Sequence, residues 1–153
     1  MFFFRRRKKR IIEGERIDLH VETQRPADAF NDFVPSVIYG IYRHDSQIKI
    51  GECDLRIGMN KELYYAGNIG YRIYEPYRGH GYALQAAKLL MKVAADTYHM
   101  KELLITCTPD NIPSRRTIEK LGAELIHGNI PVPPSHWLYK RGETVKNIYR
   151  IIL

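Results

Sequence analysis

YRGHGYALQAA, residues 77–87, places Gly79, Gly81 and Ala83 at alternate positions, with Arg78 just ahead and a long apolar periodicity just behind. Residues with little or no side chain at the mouth of a helix leave its backbone open. The first N–H groups of a helix have no partners within it, and the helix dipole adds partial positive charge there. The stretch therefore reads as an anion site, with phosphate oxygens reaching the N–H groups of residues 79–83, each charge-assisted bond being worth ~1.5–3 kcal/mol. Several such bonds hold a pyrophosphate without a lysine. Two familiar glycine loops do not fit. No Lys-Ser or Lys-Thr follows, as GxxxxGK[ST] requires, and the motif sits mid-chain without the third glycine of GxGxxG.

Outward from this stretch the chain divides into short elements. Ala83, Ala87, Leu90, Met91 and Ala94 recur at helical spacing against a polar stripe of Gln85, Lys88, Lys92, Asp96 and His99, so a long amphipathic helix starts at Gly81. Ahead of the loop, residues 64–74 (YYAGNIGYRIY) are apolar on both faces, as in a central strand. Residues 16–22 (RIDLHVE) alternate as a first strand, and residues 39–43 and 48–57 form a hairpin that turns at 44–47. In its second strand Cys53, Leu55 and Ile57 share one face and Glu52, Asp54 and Arg56 the other, and Gly51, where the pattern changes face, marks a bulge. The intervening TQRPADAFNDFVP (residues 23–35) has room for one short helix at most. Downstream, residues 102–108 (ELLITCT) read as a buried strand. Asp110 or Asn111 caps a second helix with Pro113 in its first turn and Gly122 at its end. Residues 123–127 alternate, 128–142 form a proline-rich loop, and 144–153 a closing strand. The result is an α/β (α+β) fold, a mixed sheet with helices on its faces.

With 153 residues the chain forms one domain, assigned to residues 13–153, and its 44% hydrophobic content contains no membrane-length apolar run. Net charge is +7, and removing the six basic residues 5–10 leaves +1, so basicity belongs to the N-terminal arm, residues 1–12, expected to be disordered. Nucleic acid is not an expected partner except through that arm, which suits nucleic acid or an anionic surface, with a disordered solubilising end as the bland alternative. The opening MFFFRRRKKR reverses the order of a secretory signal, and Cys53 and Cys107 lack metal-type spacing and form no disulfide framework. The expectation is a cytoplasmic protein without a metal.

Arg78-x-x-Gly81-x-Ala83 resembles the (Gln/Arg)-x-x-Gly-x-(Gly/Ala) pyrophosphate loop of the GNAT superfamily of acetyl-CoA-dependent N-acetyltransferases. Asn111-x-x-Ser114, followed by Glu119, Lys120, Leu121, Gly122 and Ala123, is similar to the NxxS…EKLGA segment of that superfamily. Residues 68–87 (NIGYRIYEPYRGHGYALQAA) resemble the branch that holds the ribosomal-protein alanine acetyltransferases. The likeness covers about half the chain, residues 48–126, with both motifs in order. It implies a mostly antiparallel sheet of about six or seven strands that splays between the fourth and fifth. It places pantetheine in that gap against the backbone of Ile73 and Tyr74, the pyrophosphate on Arg78, Gly79, His80, Gly81, Tyr82 and Ala83, Asn111 on the pantetheine arm, and Ser114 near the thioester. Asn111 also reads as a plain helix cap, and Arg78 and His80 as solvated surface.

The implied reaction is direct attack of a neutral primary amine, a peptide N-terminus or a small amine, on acetyl-CoA in a ternary complex, with a backbone N–H polarising the carbonyl. Cys107 is not needed as a nucleophile. The branch often has glutamate where this chain has Asn68, and many members have a general-acid tyrosine where this chain has Ile118. Glu52 and Asp54 are the candidate bases, with a solvated edge paired to Arg56 as the alternative. Tyr74 and Tyr139 are candidate acids. The segment before the hairpin and the loop carrying His136, Trp137 and Tyr139 would line an acceptor site that is open or closed by a second subunit, making a homodimer one expectation. The competing function is a catalytically weak CoA-binding sensor or scaffold.

Overall fold

The structure, a computed structural model, describes residues 10–31 and 33–153. The basic arm lies outside these residues except for exposed Arg10 and the two isoleucines after it. Those isoleucines correct the arm's boundary: Ile11–Glu13 is strand β1 and pairs antiparallel with β2, Ile17–Arg25. β3 (Ser36–Arg43), β4 (Lys49–Arg56) and β5 (Ile69–Ile73) follow in order, giving a five-stranded antiparallel sheet, β1-β2-β3-β4-β5. β6 (Glu102–Cys107), β7 (Glu124–Pro131) and β8 (Val145–Ile152) form a second sheet in the order β6-β8-β7. The helices are α1 (Lys61–Ala66), α2 (Tyr82–Asp96), α3 (Ile112–Lys120) and α4 (Trp137–Lys140).

Three local expectations change. Residues 64–66 are the last turn of α1, not the start of a strand. Asn60 caps that helix through its Oδ1, which accepts from the Leu63 N–H at 2.8 Å, and Gly67 ends it with φ 79°. Among the described residues of 23–35 there is no helix. β2 instead runs on to Arg25 after a bulge between Val21 and Thr23, and Asp28 and Phe33 bridge the loop beyond it. The proline-rich loop is shorter than expected, since β7 reaches Pro131 and α4 fills part of what remains.

The bulge beside Gly51 is present. Ile41 pairs with Gly51 and Tyr42 with Lys49, which leaves Ile50 as the extra residue. That shift lets Ile50 join Cys53 and Leu55 in the core. Gly51 admits no side chain, because a Cβ there would lie 2.3 Å from the Arg72 carbonyl oxygen. α2 buries Ala86, Leu90, Val93 and Ala94 in the same core, which also takes Ile118 of α3 and Leu103, Ile105, Tyr149 and Ile151 of the second sheet. Leu104 and Ile148 alternate with those residues and so face the other side. There, α1 packs on β6 and β8. The helices thus cover both faces of the second sheet.

The two sheets meet at one joint. Asn68, just ahead of β5, is fully buried. Its backbone N–H donates to the Leu104 carbonyl at 2.7 Å, and its Oδ1 accepts from the Leu104 N–H at 2.8 Å. Its Nδ2 donates to the carbonyls of Arg56 and Gly58 at 2.9 and 2.8 Å. Gly67 permits the approach, since a Cβ there would stand 3.0 Å from the Leu104 oxygen. Beyond this joint β5 pairs with β4 and β6 with β8, so the edges of β5 and β6 diverge. The splay falls between the strands containing residues 69–73 and 102–107, which are the fourth and fifth strands expected from sequence.

Asp18 ties the other end of the sheet together. Its carboxylate accepts from the N–H groups of Gly14 and Asp45 and from His44 Nδ1, the last two at 2.8 Å. Burial pushes the Asp18 carboxyl up, but the His44 and peptide donors together outweigh it and hold the group below its ordinary 3.8. The same hydrogen bond lifts His44 above 6.5. The Asp18 contribution to stability is present above 3.8 and fades as pH falls. The His44 contribution is present below 6.5 and fades as pH rises through its folded-state value. His44→Ala therefore lowers the melting temperature more at pH 6 than at pH 9, and equal losses would show the pair to be inert. Asn68→Leu leaves three buried backbone groups without their partner and destabilises by roughly 3 kcal/mol or more in urea unfolding. Asn68→Asp, which keeps the acceptor but loses the donor to two carbonyls, also destabilises.

Candidate active site

β5 ends at Ile73, and a 3₁₀ turn over Glu75–Tyr77 leads into the loop before α2. Gly79 and Gly81 have φ of 86° and 74°, the left-handed region that glycine enters without cost. A Cβ on either would find nothing within 4 Å. Gly81 is the N-cap of α2, and no side chain caps that helix end. Its leading N–H groups thus have no capping side chain, as an anion cradle requires. Arg78 Nε donates to the Ile73 carbonyl at 2.9 Å, and Arg16 Nη1 donates to the His80 carbonyl at 3.1 Å, so both side chains brace the loop. The Arg16 guanidinium lies over the Tyr82 ring, and Ala83 is half-buried against the core.

The antiparallel pattern decides which peptide groups of β5 face the gap. The Arg56 N–H donates to the Asn68 carbonyl, so residues 68, 70 and 72 bond towards β4, and Ile69, Tyr71 and Ile73 turn towards β6. Tyr74 departs from the expectation made for it. Its N–H is held by the Ile50 carbonyl and its carbonyl by the Tyr77 N–H, both at 2.9 Å. The β4–β5 ladder simply continues in register one step past Arg72, and Ile73 alone of that pair turns its N–H to the gap.

Side chains divide the same region by face. Cys53 opposes Tyr71 and Leu55 opposes Ile69 on the core side, while Glu52 opposes Arg72 and Asp54 opposes Gly70 on the other. On the core side the Tyr71 hydroxyl meets Ser114 Oγ at 3.1 Å across the gap. Ser114 is held at the start of α3, where its N–H donates to Asn111 Oδ1 at 3.2 Å, so Asn111 is a helix cap. Burial pushes the Tyr71 phenol up, against the opposing pull of the Ser114 hydrogen bond. Ile118 is fully buried, which leaves that position no polar role. Burial also pushes the thiols of Cys53 and Cys107 up, so both stay protonated.

The opposite face opens into a cleft of about 840 Å³. Asp54, Glu52, Arg72, Phe33, Leu63 and Trp137 are among its lining residues. The two carboxylates differ. Asp54 is half-buried with Oδ2 2.9 Å from Arg56 Nε, and burial raises its carboxyl despite the guanidinium. Its Oδ1 occupies the space that a Cβ on Gly70 would need, at 2.4 Å. Glu52 is more exposed and accepts from the Tyr74 hydroxyl at 3.0 Å, which leads the lowering of its pKa, with Lys49 adding to it. Tyr74 is thus tied to Glu52, away from Ser114, and Tyr139 is an exposed residue of α4. The expected loop residues separate similarly. Trp137 lines the cleft, whereas His136 is buried, accepts from the Leu138 N–H at Nδ1, and donates from Nε2 to Glu62.

Asn68 is the position whose sequence reading the geometry changes most. With all its polar atoms engaged at the sheet joint, it is structural and touches neither face of the site. Tyr71 was not singled out from sequence. The available signal was its place two residues before Ile73 on the same strand face, opposite an N-x-x-S turn.

Among the described residues no cluster of His, Cys, Asp and Glu could hold a metal, and no helix is long and apolar enough to cross a membrane. Comparison with solved structures finds the same fold in an acetyltransferase from Agrobacterium tumefaciens, at 19% identity with a TM-score of 0.68 over all of this chain and 98% of that one. It is also found in RimL, a ribosomal L7/L12 alpha-N-protein acetyltransferase in complex with coenzyme A, at 16% identity and TM-score 0.67 over 94% and 98% of the two chains. The uncharacterized N-acetyltransferase YjdG of Bacillus subtilis is 32% identical over 71 residues, 46% of this chain and 41% of that protein, so the match spans less than half of that relative. The family model for the acetyltransferase (GNAT) domain matches residues 14–124, and the chain belongs to that family.

Proposed function

We propose that this protein moves an acetyl group from acetyl-CoA to a primary amine, a peptide N-terminus or a small amine, by direct attack in a ternary complex. The observation that carries this reading is the gap between β5 and β6, which has an open glycine cradle on one side and a carboxylate-lined cleft on the other. The family membership and the coenzyme A complex of RimL support acetyl-CoA as donor. The loop of residues 78–83 suits a pyrophosphate because both glycines take the left-handed backbone and no side chain caps the helix that starts there. The thioester then reaches the gap-facing N–H of Ile73 or Tyr71, which polarises its carbonyl as charge builds on the oxygen.

The amine enters from the cleft. Asp54, oriented by Arg56 and Gly70, is the carboxylate that receives it and takes its surplus proton. Glu52 helps shape the entrance. Deprotonating an α-amine of pKa ~8 at pH 7 costs only ~1.4 kcal/mol, against ~4.6 for a lysine side chain. A peptide N-terminus is therefore the acceptor that asks least of Asp54.

Incubation with acetyl-CoA and a panel of peptides and small amines, followed by mass spectrometry and thiol release, tests the reading. Acetylation at α-amines is expected. Silence across the panel with CoA binding intact favours a sensor, the reading that the burial of Ile118 would suit. Asp54→Asn is expected to lower kcat/KM ~100-fold, the scale of a lost acid–base group, while Glu52→Gln stays within a few-fold. Because the Asp54 carboxyl is raised from 3.8, the rate climbs with pH as it ionises, and the asparagine variant loses that acid limb. Gly70→Ala, which crowds Oδ1, should reproduce much of the defect. In the cradle, Gly81→Asp and Gly81→Asn both tolerate the left-handed backbone, so their difference isolates charge. Titration calorimetry should find acetyl-CoA weakened far more by aspartate, on the scale of ~4 kcal/mol for like charges at ~4 Å near a surface. Equal affinities would remove the pyrophosphate from this loop.

A further inference from the structure

The cleft at Asp54 differs from one end to the other. We infer that its end away from the glycine cradle receives a bulky apolar side chain next to the reacting amine, so that the preferred acceptor is a peptide beginning with leucine or a residue of similar bulk. The inference rests on the acetyltransferase reading and narrows its acceptor.

The two ends follow from the strand register. On the cleft face of β3 and β4, Ile38 opposes Asp54 and Ser36 opposes Arg56. β3 begins at Ser36 and β4 ends at Arg56, so the segment before one and the segment after the other leave the sheet side by side. The Ile57 N–H donates to the Pro35 carbonyl at 2.8 Å, and Val34 Cγ1 would stand 3.8 Å from a Cβ on Gly58, which fixes the two segments against each other. Phe33 and Val34 come to the cleft from the first segment, and Leu63 of α1 from the second. Trp137 joins them because the buried His136 ties α4 to α1, its Nε2 donating to the Glu62 carbonyl at 2.8 Å. The cradle lies past Ile73, which pairs with Gly51 at the other end of the ladder. The donor thus enters from one end, and the apolar end is left to the acceptor.

The chemistry of that end is selective. Phe33 is 55% exposed and Trp137 36%, and exposed aromatic rings gathered on one cleft mark a ligand groove where scattered apolar residues would not. The nearby carboxylates are already engaged. Asp28 accepts from the Asn31 side-chain amide and from the N–H groups of Phe30 and Asn31, and the Glu62 carboxylate lies 3.0 Å from His136 Nε2. Neither is free to hold a basic side chain. Arg25 borders the same cleft and its charge acts on Asp54, so an acidic first residue is the rival acceptor.

The spacing selects the first residue. One two-residue step along β4, from Asp54 to Arg56, is about 7 Å. An amine held about 3 Å from the carboxylate leaves about 4 Å, which is the reach of a leucine side chain from its own nitrogen. Glycine at that position would leave Phe33 and Trp137 in water.

The chain has a single tryptophan, Trp137, so intrinsic fluorescence reports on this end of the cleft. Three peptides identical except for a first residue of leucine, glycine or glutamate are titrated with CoA present, so that no transfer occurs. The leucine peptide should bind with a Kd ~10–100-fold below the other two and move the Trp137 emission to shorter wavelength. Phe33→Ala, in an exposed loop outside the core, should shrink the leucine-to-glycine ratio about tenfold. With acetyl-CoA, kcat/KM should rank the peptides in the same order, and Trp137→Ala should narrow the leucine-to-glycine ratio as well. Equal Kd values for the three peptides, tightest binding of the glutamate peptide, or a Phe33→Ala variant that weakens all three alike overturns the pocket. Acetylation without preference overturns the pocket and leaves the transfer reading standing. Selective binding with no acetylation of any peptide keeps the pocket and removes the transfer reading.

Discussion

The joint between Asn68 and Leu104 is the constraint on which the site depends. One side chain and one peptide group hold two sheets together at their narrow end, and three further backbone groups are satisfied by the same residue. A buried amide with every polar atom paired is rigid as well as stabilising, because any rotation leaves a donor or acceptor unmatched. From this point β5 and β6 separate because each pairs outward with its own sheet. The gap is a consequence of how the ladders are allocated. A single continuous sheet would place a neighbouring strand on the peptide groups of Ile69, Tyr71 and Ile73. Here those groups have no paired strand on that side.

The joint also reaches into the chemistry through Arg56. Its carbonyl receives Asn68 Nδ2, its Nη1 holds the carbonyls of Ala66 and Gly67 behind the joint, and its Nε holds Asp54. The carboxylate proposed for the acceptor is therefore aimed by the residue that closes the sheet junction. Gly70 completes the arrangement by leaving room for Oδ1. Glu52, two residues earlier on the same face, has a different fate because its neighbours are Lys49 and Tyr74 and it lies closer to water. Burial dominates at Asp54 and hydrogen bonding at Glu52, so the two carboxyls move in opposite directions.

Much of this was legible in the sequence where the signals are local. The glycine turn, the amphipathic α2, the Asn111 cap and the bulge at Gly51 each depend on residues within one or two turns of one another. Residues 64–66 show the limit of such reading. Two adjacent tyrosines suggest a strand, yet Asn60 and Gly67 bracket a helix, and the bracketing outweighed the propensity of the tyrosines. What was not legible is what spans the fold. Asn68 finds its partner 36 residues away and Tyr71 finds Ser114 at 43, and no periodicity encodes either contact. The difference between Asp54 and Glu52 was hidden for the same reason, since alternation puts both on one face and only burial separates them. The Tyr74 backbone groups are taken by Ile50 of the neighbouring strand and by the turn that follows.

These contacts bear on the choice of acceptor. Arg56 partly neutralises Asp54, and a carboxylate so paired is a modest base whatever burial adds. For a lysine side chain the site would have to supply ~4.6 kcal/mol of deprotonation at pH 7, which calls for a group whose pKa lies near the working pH. Of the two carboxyls on the strand face, one moves up from 3.8 against an opposing guanidinium and the other moves down. An α-amine, neutral about one time in ten at pH 7, needs orientation more than basicity. A rigid carboxylate beside an open cleft provides orientation. In the proposed reaction the strength of the base and the nature of the acceptor are thus linked through one ion pair, and that pair is set by the same arginine that braces the sheet junction.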